Sequence, residues 1–116
     1  MTINNKISEE NQLTDSGYYI LLALLEPKHG YGIMKYLEEL TAGEFLIGPA
    51  TLYTTLKKMQ KKEFIMPVGE AEDRKKIYKL TEAGEKVILN EIQRRIRMAK
   101  QGEYVLNSMG RMINNE

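Results

Sequence analysis

The segment from Gly48 to Lys62 constrains the fold most, because it predicts a helix with two unlike faces. Leu52, Leu56 and Met59 recur at helical spacing, so they lie on one buried stripe. Pro49 suits the first helical position, because its missing N–H would have no partner inside the helix. The face opposite the stripe begins with small and polar side chains and ends with cations; it carries Ala50, Thr54, Lys57, Lys58 and Lys61.

This arrangement is typical of a helix that enters a DNA groove, where short hydroxyl side chains meet base edges and lysines meet phosphates. Thr51 and Thr54 are therefore the predicted base contacts, and the lysines are the predicted phosphate contacts. Tyr53 borders the buried stripe and could either pack there or direct its hydroxyl to a phosphate. The alternative for the whole helix is a solvated lysine-rich surface, and the rest of the chain has to decide between the two.

Length and composition bound the other possibilities. With 116 residues the chain forms one domain, or one domain with an appendage. It has no cysteine, which excludes disulfides and thiol chemistry and fits a reducing compartment. The apolar run from Tyr18 to Leu25 is too short to span a membrane, so we expect a cytoplasmic protein without a membrane partner.

Basic residues are concentrated around the predicted helix. The net charge is only +1, but residues 49–86 carry nine Lys and Arg against six acidic residues, whereas residues 1–48 carry three against seven. A local excess matters more than the total for a polyanionic partner, because phosphate contacts are local. The distribution favours a nucleic-acid surface in the middle of the chain.

Two helices are predicted before this segment. Residues 1–12 read as a flexible arm or a marginal helical turn. A helix then begins at Thr14 or Asp15 and runs to about Leu25; it is apolar nearly all round, which predicts contact with a second protein surface as well as its own core. After a turn at residues 26–30 a second helix covers residues 31–40, and residues 44–47 could form a single bridge in a small sheet.

A β-hairpin follows the central helix. Its predicted strands are Phe64 to Val68 and Arg74 to Leu80, and Pro67 implies an edge position. The returning strand opens with three cations at the hairpin tip: Arg74, Lys75 and Lys76. The order helix, helix, short strand, helix, hairpin is that of a winged helix-turn-helix, a mainly α fold with a small β-hairpin. In that fold the third helix enters the major groove and the hairpin, or wing, reaches the backbone beside it.

A long C-terminal helix begins after Thr81, its predicted N-cap, and Gly102 leaves open whether it is one bent helix or two. Its apolar stripe is longer than a small domain can cover, which predicts a homodimer; packing back onto its own domain is the alternative. We therefore divide the chain into an arm (1–12), a DNA-binding domain (13–80) and a dimerisation helix (81–116). The predicted dimer interface comprises Tyr18, Leu22, Ile88, Ile92, Ile96, Ala99, Leu106, Met109 and Ile113.

Three arginines of this helix have different predicted surroundings. Arg94 and Arg97 lie off the stripe and are expected on a solvated face with Lys100. Arg95 falls within the stripe, so it should either extend its charge to water or pair across the dimer interface.

Enzyme chemistry has little support. His29 is the only histidine, and it lies in a turn without a second histidine or a cysteine for a metal site. No phosphate-binding loop or nucleophile motif is present. We expect no catalytic residue, no metal and no cofactor.

Four blocks together resemble the PadR family of bacterial transcriptional regulators: Leu13 to Leu25, His29 to Ile33, Ala50 to Tyr53, and Asp73 to Gly84. The resemblance covers about residues 13–86, and the short C-terminal part is similar to the smaller PadR subfamily. It implies a dimeric winged-helix repressor that binds a near-palindromic operator in double-stranded DNA and is often released by a small molecule. It also implies that Tyr53 helps to contact the DNA backbone. One branch of the family senses planar aromatic drugs with a tryptophan on its dimerisation helix, and this chain has no tryptophan.

Two further hypotheses remain beside this one. A small hydrophobic effector could bind at the dimer interface between the first and last helices, where ordinary packing is the alternative; the candidate residues are Tyr19, Met98 and Tyr104, with Tyr18 and Met109 nearby. The alternative function is a winged-helix protein-interaction module without specific DNA binding.

Overall fold

The computed structural model describes residues 12–69 and 76–111. It is mainly helical with a small antiparallel sheet, which confirms the predicted winged-helix class. No helix within these residues is long and apolar enough to cross a membrane. The elements in chain order are α1 (Asp15–Ala23), β1 (Lys28–His29), α2 (Gly30–Leu40), α3 (Pro49–Lys61), β2 (Ile65–Val68), β3 (Ile77–Leu80) and α4 (Glu82–Ser108).

The start of α1 is fixed by Thr14, whose hydroxyl accepts a hydrogen bond from the Gly17 N–H at 3.0 Å. Thr14 is therefore the N-cap rather than Asp15, and it satisfies one of the N–H groups that an α-helix leaves free. The helix ends at Ala23, slightly earlier than predicted, and Leu25 is exposed beyond it. Ile20, Leu21 and Leu24 are fully buried in the core.

The third strand of the sheet lies elsewhere than predicted. Lys28 and His29, expected in a turn, form β1 and pair with Tyr78 and Ile77 of β3. The expected bridge at residues 44–47 is wrong. The Thr41 hydroxyl accepts a hydrogen bond from the Phe45 N–H at 3.0 Å, so this backbone is satisfied by a helix-end turn and needs no strand partner.

The sheet has the order β1-β3-β2, so β3 is its central strand. β2 and β3 are antiparallel, with Ile65 opposite Leu80 and Val68 opposite Ile77. The edge position that Pro67 implies is confirmed, because β2 pairs with β3 alone among the described strands. Among the described residues β3 begins at Ile77, so Lys76 precedes it, and Arg74 and Lys75 lie outside the described residues.

α4 begins at its predicted cap and is continuous through Gly102. The Thr81 hydroxyl accepts a hydrogen bond from the Gly84 N–H and donates one to the Glu63 carbonyl oxygen, which ties α4 to the end of α3. A Cβ at Gly84 would collide with the Phe64 carbonyl oxygen, so only glycine allows the two backbones to approach this closely.

The core lies between α1, α2 and α3 and is closed by Ile65, Tyr78 and Ile88. Ile88 is fully buried within its own chain, which contradicts its assignment to the dimer interface. The reason is that the first turns of α4 cover the sheet and α1, so the start of the apolar stripe is used by the domain itself. Ile92 is partly buried against the same core, and Ile113 lies outside the described residues.

The stripe changes role further along α4. Ile96 is 49% exposed and Met109 60% exposed, whereas Ile88 has no exposed surface. Ala99 is also exposed, and Leu106 is partly exposed. The second half of α4 therefore extends from the domain with uncovered apolar side chains.

Candidate nucleic-acid interface

The two faces of α3 are clearly separated. Leu52 and Leu56 are buried, and Met59 is nearly so, which fixes the rotation of the helix on the core. All polar and small residues predicted on the opposite face are exposed: Ala50, Thr51, Thr54, Lys57, Lys58 and Lys61. The packing of one face thus determines which side chains the other presents to a partner.

Two adjacent threonines of α3 have different surroundings. The half-buried Thr55 donates its hydroxyl hydrogen bond to the Thr51 carbonyl oxygen at 2.8 Å. Thr54 is exposed, and its hydroxyl has no protein partner among the described residues. Its hydroxyl and methyl groups are therefore available to a base edge, whereas the Thr55 hydroxyl is already bonded within the helix.

The lysines of α3, which we call the basic face (Lys57, Lys58 and Lys61), form no ion pair with any described residue. Lys58 and Lys61 lie in the last turn of α3, where positive charge also interacts favourably with the helix dipole. Unpaired charges at the surface keep their full attraction for an anionic partner.

A groove of about 470 Å³ joins α3 to the wing. It brings together four of the predicted DNA contacts, namely Ala50, Tyr53 and Lys57 from α3 and Lys76, the wing residue that immediately precedes β3. The predicted contacts from the two elements therefore lie along one surface. The remaining lining residues are Pro49, Gln60 and Tyr78.

Tyr53 occupies the boundary between this groove and the core. It is half-buried, and a Cβ at Gly30 would lie 2.5 Å from its hydroxyl oxygen, so the side chain fills the space beside the first residue of α2. Both predicted alternatives are compatible with this position, because the ring packs against α2 while the side chain also lines the groove. Its contact with a phosphate remains a prediction.

The candidate effector residues have separate surroundings within one chain. The Tyr19 ring lies 4.4 Å from the Phe45 ring and 5.7 Å from the Tyr18 ring. Met98 is exposed and its sulfur accepts a hydrogen bond from Arg94, and Tyr104 is 74% exposed on the distal part of α4. A common effector site remains a prediction that depends on the dimer.

The sequence interpretation missed a buried charge. Glu91 on α4 is only 1% exposed, and its carboxylate accepts hydrogen bonds from Arg94, from Arg95 and from the Leu13 N–H. Arg94 is thus paired with a buried acid, contrary to the solvated position expected for it. The spacing of three and four residues from Glu91 to the two arginines was a usable signal, because it places all three on one face of a helix.

These contacts change the ionisation of the pair. The hydrogen bond from Arg94 lowers the pKa of Glu91 despite the opposing effect of burial, and the Leu13 N–H and Arg95 lower it further. The carboxylate in turn raises the pKa of Arg94. Glu91 is therefore a structural carboxylate that stays ionised, not an acid held in its protonated form.

Metal chemistry finds no support in the part of the chain that the structure describes, since it contains no group of three or more His, Cys, Asp or Glu side chains that could hold an ion. His29 is exposed on the two-residue edge strand β1.

Comparison with known proteins agrees with this architecture. No curated protein matches the sequence. A transcriptional regulator from Clostridium thermocellum has a similar structure, with 26% identity and a TM-score of 0.60 over 79% of this chain and 89% of that chain. Bacillus subtilis PadR, solved in complex with operator DNA, has 25% identity and a TM-score of 0.59 over 68% of this chain and 47% of that chain.

A third structure shares the fold at lower identity. It is a PadR-like transcription factor from Bacteroides fragilis, with 21% identity and a TM-score of 0.65 over 78% of this chain and 88% of that chain. The sequence model that describes the transcriptional regulator PadR-like family matches residues 20–90, which is more than half of the chain. This family comprises transcriptional regulators rather than enzymes. On the strength of that match, and of the winged helix that carries it, the chain belongs to the PadR-like family of transcriptional regulators.

Proposed function

We propose that the protein is a dimeric, sequence-specific repressor that binds operator DNA through α3 and the wing. The observation that carries the proposal is the groove in which the exposed face of α3 meets Lys76 of the wing. The complex of Bacillus subtilis PadR with operator DNA supports the same use of a similar fold. Winged helices place the third helix in the major groove and the wing on the adjacent backbone.

The side chains divide the task by chemistry. Thr51 and Thr54 read base edges near the start of α3, where short side chains let the helix approach the bases. The basic face and the wing cations Arg74, Lys75 and Lys76 contact phosphates, which supply affinity without sequence preference. The Tyr53 hydroxyl donates to a phosphate at the border of the groove.

The distal part of α4 supplies the dimer contact. Ile96, Ala99, Leu106 and Met109 lie along the part of the helix that leaves its own domain, and their apolar surface is uncovered in a single chain. Pairing with a second α4, together with Tyr18 and Leu22 of α1, would remove this surface from water. Two copies related by a twofold axis would then read the two halves of a near-palindromic operator.

We also propose that a small molecule regulates DNA binding. A small hydrophobic effector bound near Tyr19, Met98 and Tyr104 at the dimer interface would release the repressor from DNA by favouring another arrangement of the two domains. The protein would act in the cytoplasm, where the operator is. In this scheme residues 13–80 bind DNA and residues 81–116 dimerise.

Selection of bound duplexes from a random pool tests the function directly. The wild-type protein should enrich one near-palindromic sequence. Thr54→Ala should alter the preferred bases at one position of each half-site, because it removes both the hydroxyl and the methyl group from the base edge. Thr55→Ala is the matched control, since that hydroxyl is already bonded within the helix and should leave the preference unchanged.

Enrichment of no sequence, with weak binding to all duplexes, would favour the alternative of a protein-interaction module. An equal loss of binding to every sequence by Thr54→Ala would exclude base contact at that residue.

The dimer has its own test. Ile96→Glu should give a monomer in analytical ultracentrifugation, because it places a charge in the apolar contact. Ile96 is a better target than Ile92, which also contributes to the core. Gln101→Glu adds the same charge to an exposed residue off the stripe and should remain dimeric. A persistent Ile96→Glu dimer would contradict the interface.

A further inference from the structure

Side chains of α4 bind both the N–H and the carbonyl oxygen of Leu13, a residue that precedes α1. The Glu91 carboxylate accepts from the Leu13 N–H at 3.2 Å, and an Arg95 Nη donates to the Leu13 carbonyl oxygen at 3.0 Å. In a β-sheet a neighbouring strand would bind these two backbone groups, and here the side chains of α4 bind them instead. We call the set of Glu91, Arg94 and Arg95 with Leu13 and Asp15 the latch.

Arg95 makes several contacts in the latch at once. Its Nε donates to Glu91 at 3.3 Å and its other Nη donates to Asp15 at 3.0 Å. Its guanidinium also lies over the Tyr18 ring, 4.2 Å from the ring centroid. A planar group with several donors in fixed directions, stacked on an aromatic face, defines an orientation and not only a distance.

The latch occupies a defined place along α4. The helix is first fixed at Gly84 and Ile88, which are buried against Phe64 and the core. The latch is the second fixed point, two turns further on, and two points define the direction of a helix axis. Beyond it, α4 runs to Ser108 with mostly exposed side chains.

We propose that Glu91 and Arg95 are positioning residues that set the direction of α4 relative to the DNA-binding domain and thereby the separation of the two α3 helices in the dimer. This proposal rests on the dimeric DNA-binding function proposed above. The helix beyond Arg95 is roughly 20 Å long at about 1.5 Å per residue. A change of about 10° in its direction therefore displaces one domain by about 3.5 Å relative to the dimer contact, which is about one base-pair step.

Distances between spin labels test the latch without DNA. The chain has no cysteine, so Lys62→Cys and Gln101→Cys introduce the only labelling sites, one at the end of α3 and one on distal α4. An excess of unlabelled chain ensures that a labelled dimer carries only one labelled protomer. Pulsed electron paramagnetic resonance should give a narrow distance distribution for the parent, and one at least about twice as broad or displaced for Arg95→Gln and Glu91→Gln.

Arg97→Gln is the matched control, because it removes the same charge from an exposed residue outside the latch and should leave the distribution narrow. Distributions in both latch variants as narrow as the control, with helical circular dichroism retained, would overturn the proposal. Arg95 is partly exposed, so its replacement should not unfold the domain. Should Arg95→Gln lose helical signal, Arg95→Lys carries the test, since it keeps the charge but cannot span the same acceptors.

The functional consequence is measured on the duplex that the wild-type protein selects, with one base pair inserted between the half-sites. The wild type should lose about tenfold or more in affinity for the lengthened site, a loss comparable to that from one mismatched base pair. Arg95→Gln should lose about threefold or less, with unchanged binding to unrelated duplex DNA. An equal loss in both proteins would overturn the role in spacing.

The two proposals fail in different ways. A wild type that selects no duplex refutes the DNA-binding function, and the label distances still decide whether the latch orients α4. A wild type that selects an operator while the latch variants keep both the narrow distances and the spacing preference refutes the positioning role alone.

Discussion

Positive charge is used in different ways on α3 and on α4. The basic face of α3 is exposed and unpaired within the described residues, whereas Arg94 and Arg95 of α4 are partly buried and bound to Glu91. Unpaired surface charges contribute little to the free energy of unfolding and are available to a partner. Arg94 and Arg95 are engaged by the buried Glu91 carboxylate, so their charges are not free for a partner. The comparison shows that counts of basic residues do not locate a DNA surface, and that pairing and burial are needed as well.

The largest expected difference between the two regions is in stability. Glu91→Ala should lower the free energy of unfolding by about 2–3 kcal/mol, because it leaves the Leu13 N–H without its acceptor and removes the buried carboxylate that both arginines bind. Lys58→Ala should change it by less than about 0.5 kcal/mol, as expected for an exposed residue. Chemical denaturation at one protein concentration measures both. Similar losses of unfolding free energy in the two variants would show that Glu91 contributes no more to stability than Lys58 does.

DNA affinity should instead depend on the lysines of α3 and not on those of α4. Lys57→Ala combined with Lys61→Ala should reduce the dependence of log affinity on log salt concentration by about two units, one for each lost phosphate contact. Lys86→Ala combined with Lys100→Ala removes the same charge from exposed residues of α4 and should leave this slope nearly unchanged. Binding titrations at several salt concentrations give the slopes. Equal salt-dependence slopes in the two double variants would show that the basic face is a solvated surface and does not contact phosphates.

A lower pH should also distinguish α4 from α3, because it should reduce the stability that Glu91 contributes, but by a smaller amount. The hydrogen bond from Arg94 holds the pKa of Glu91 below its usual value of 4.5 in the folded state. The stability it contributes is therefore fully present above about pH 4.5 and is lost as the pH falls through the lower folded pKa. Glu91→Gln lacks this titration, so its difference from the wild type, about 1 kcal/mol or more near pH 6, should shrink towards pH 3.

Denaturation midpoints across this pH range measure the effect. Asp15→Asn is the control, because it removes the other carboxylate partner of Arg95 from a side chain that is 81% exposed, and exposed ion pairs contribute little to stability. A difference between Glu91→Gln and wild type that does not vary with pH would show that the carboxylate contributes through its shape and not its charge.

The smallest effect is expected for Tyr53, which lies between the core and the groove. Tyr53→Phe should lower affinity for operator DNA by about 0.5–1.5 kcal/mol, the usual value of one hydrogen bond, and leave thermal stability nearly unchanged. Loss of stability without loss of affinity would instead assign the hydroxyl to packing beside Gly30.

Features governed by neighbouring residues were predictable from the sequence. The cap at Thr81, and the choice between Thr14 and Asp15 for the cap of α1, follow from side chains that bond the next turn of their own helix. The division of α3 into buried and exposed faces follows from helical periodicity. The residues that form the candidate DNA surface were therefore identifiable, and only their assembly with Lys76 into one groove required the structure.

Features that depend on distant residues were not predictable in the same way. β1 consists of two residues that pair with a strand almost fifty positions later, so its local sequence indicates only a turn. The stripe of α4 has one periodicity throughout, but Ile88 is covered by the domain and Ile96 is not. Where that change occurs depends on the size of the domain, and the burial of Glu91 depends on the path of Leu13 across it.

The pairing of β2 has a consequence for self-association. The Phe64 carbonyl accepts from the Thr81 N–H, so in the alternating antiparallel pattern the backbone of Ile65 and Pro67 points away from β3. Proline has no N–H, which leaves the outer side of β2 with one donor fewer for another strand to bind. The opposite edge, β1, has only two residues. Within residues 12–69 and 76–111, neither edge of the sheet therefore offers the long row of free backbone groups on which strands of separate molecules join into aggregates.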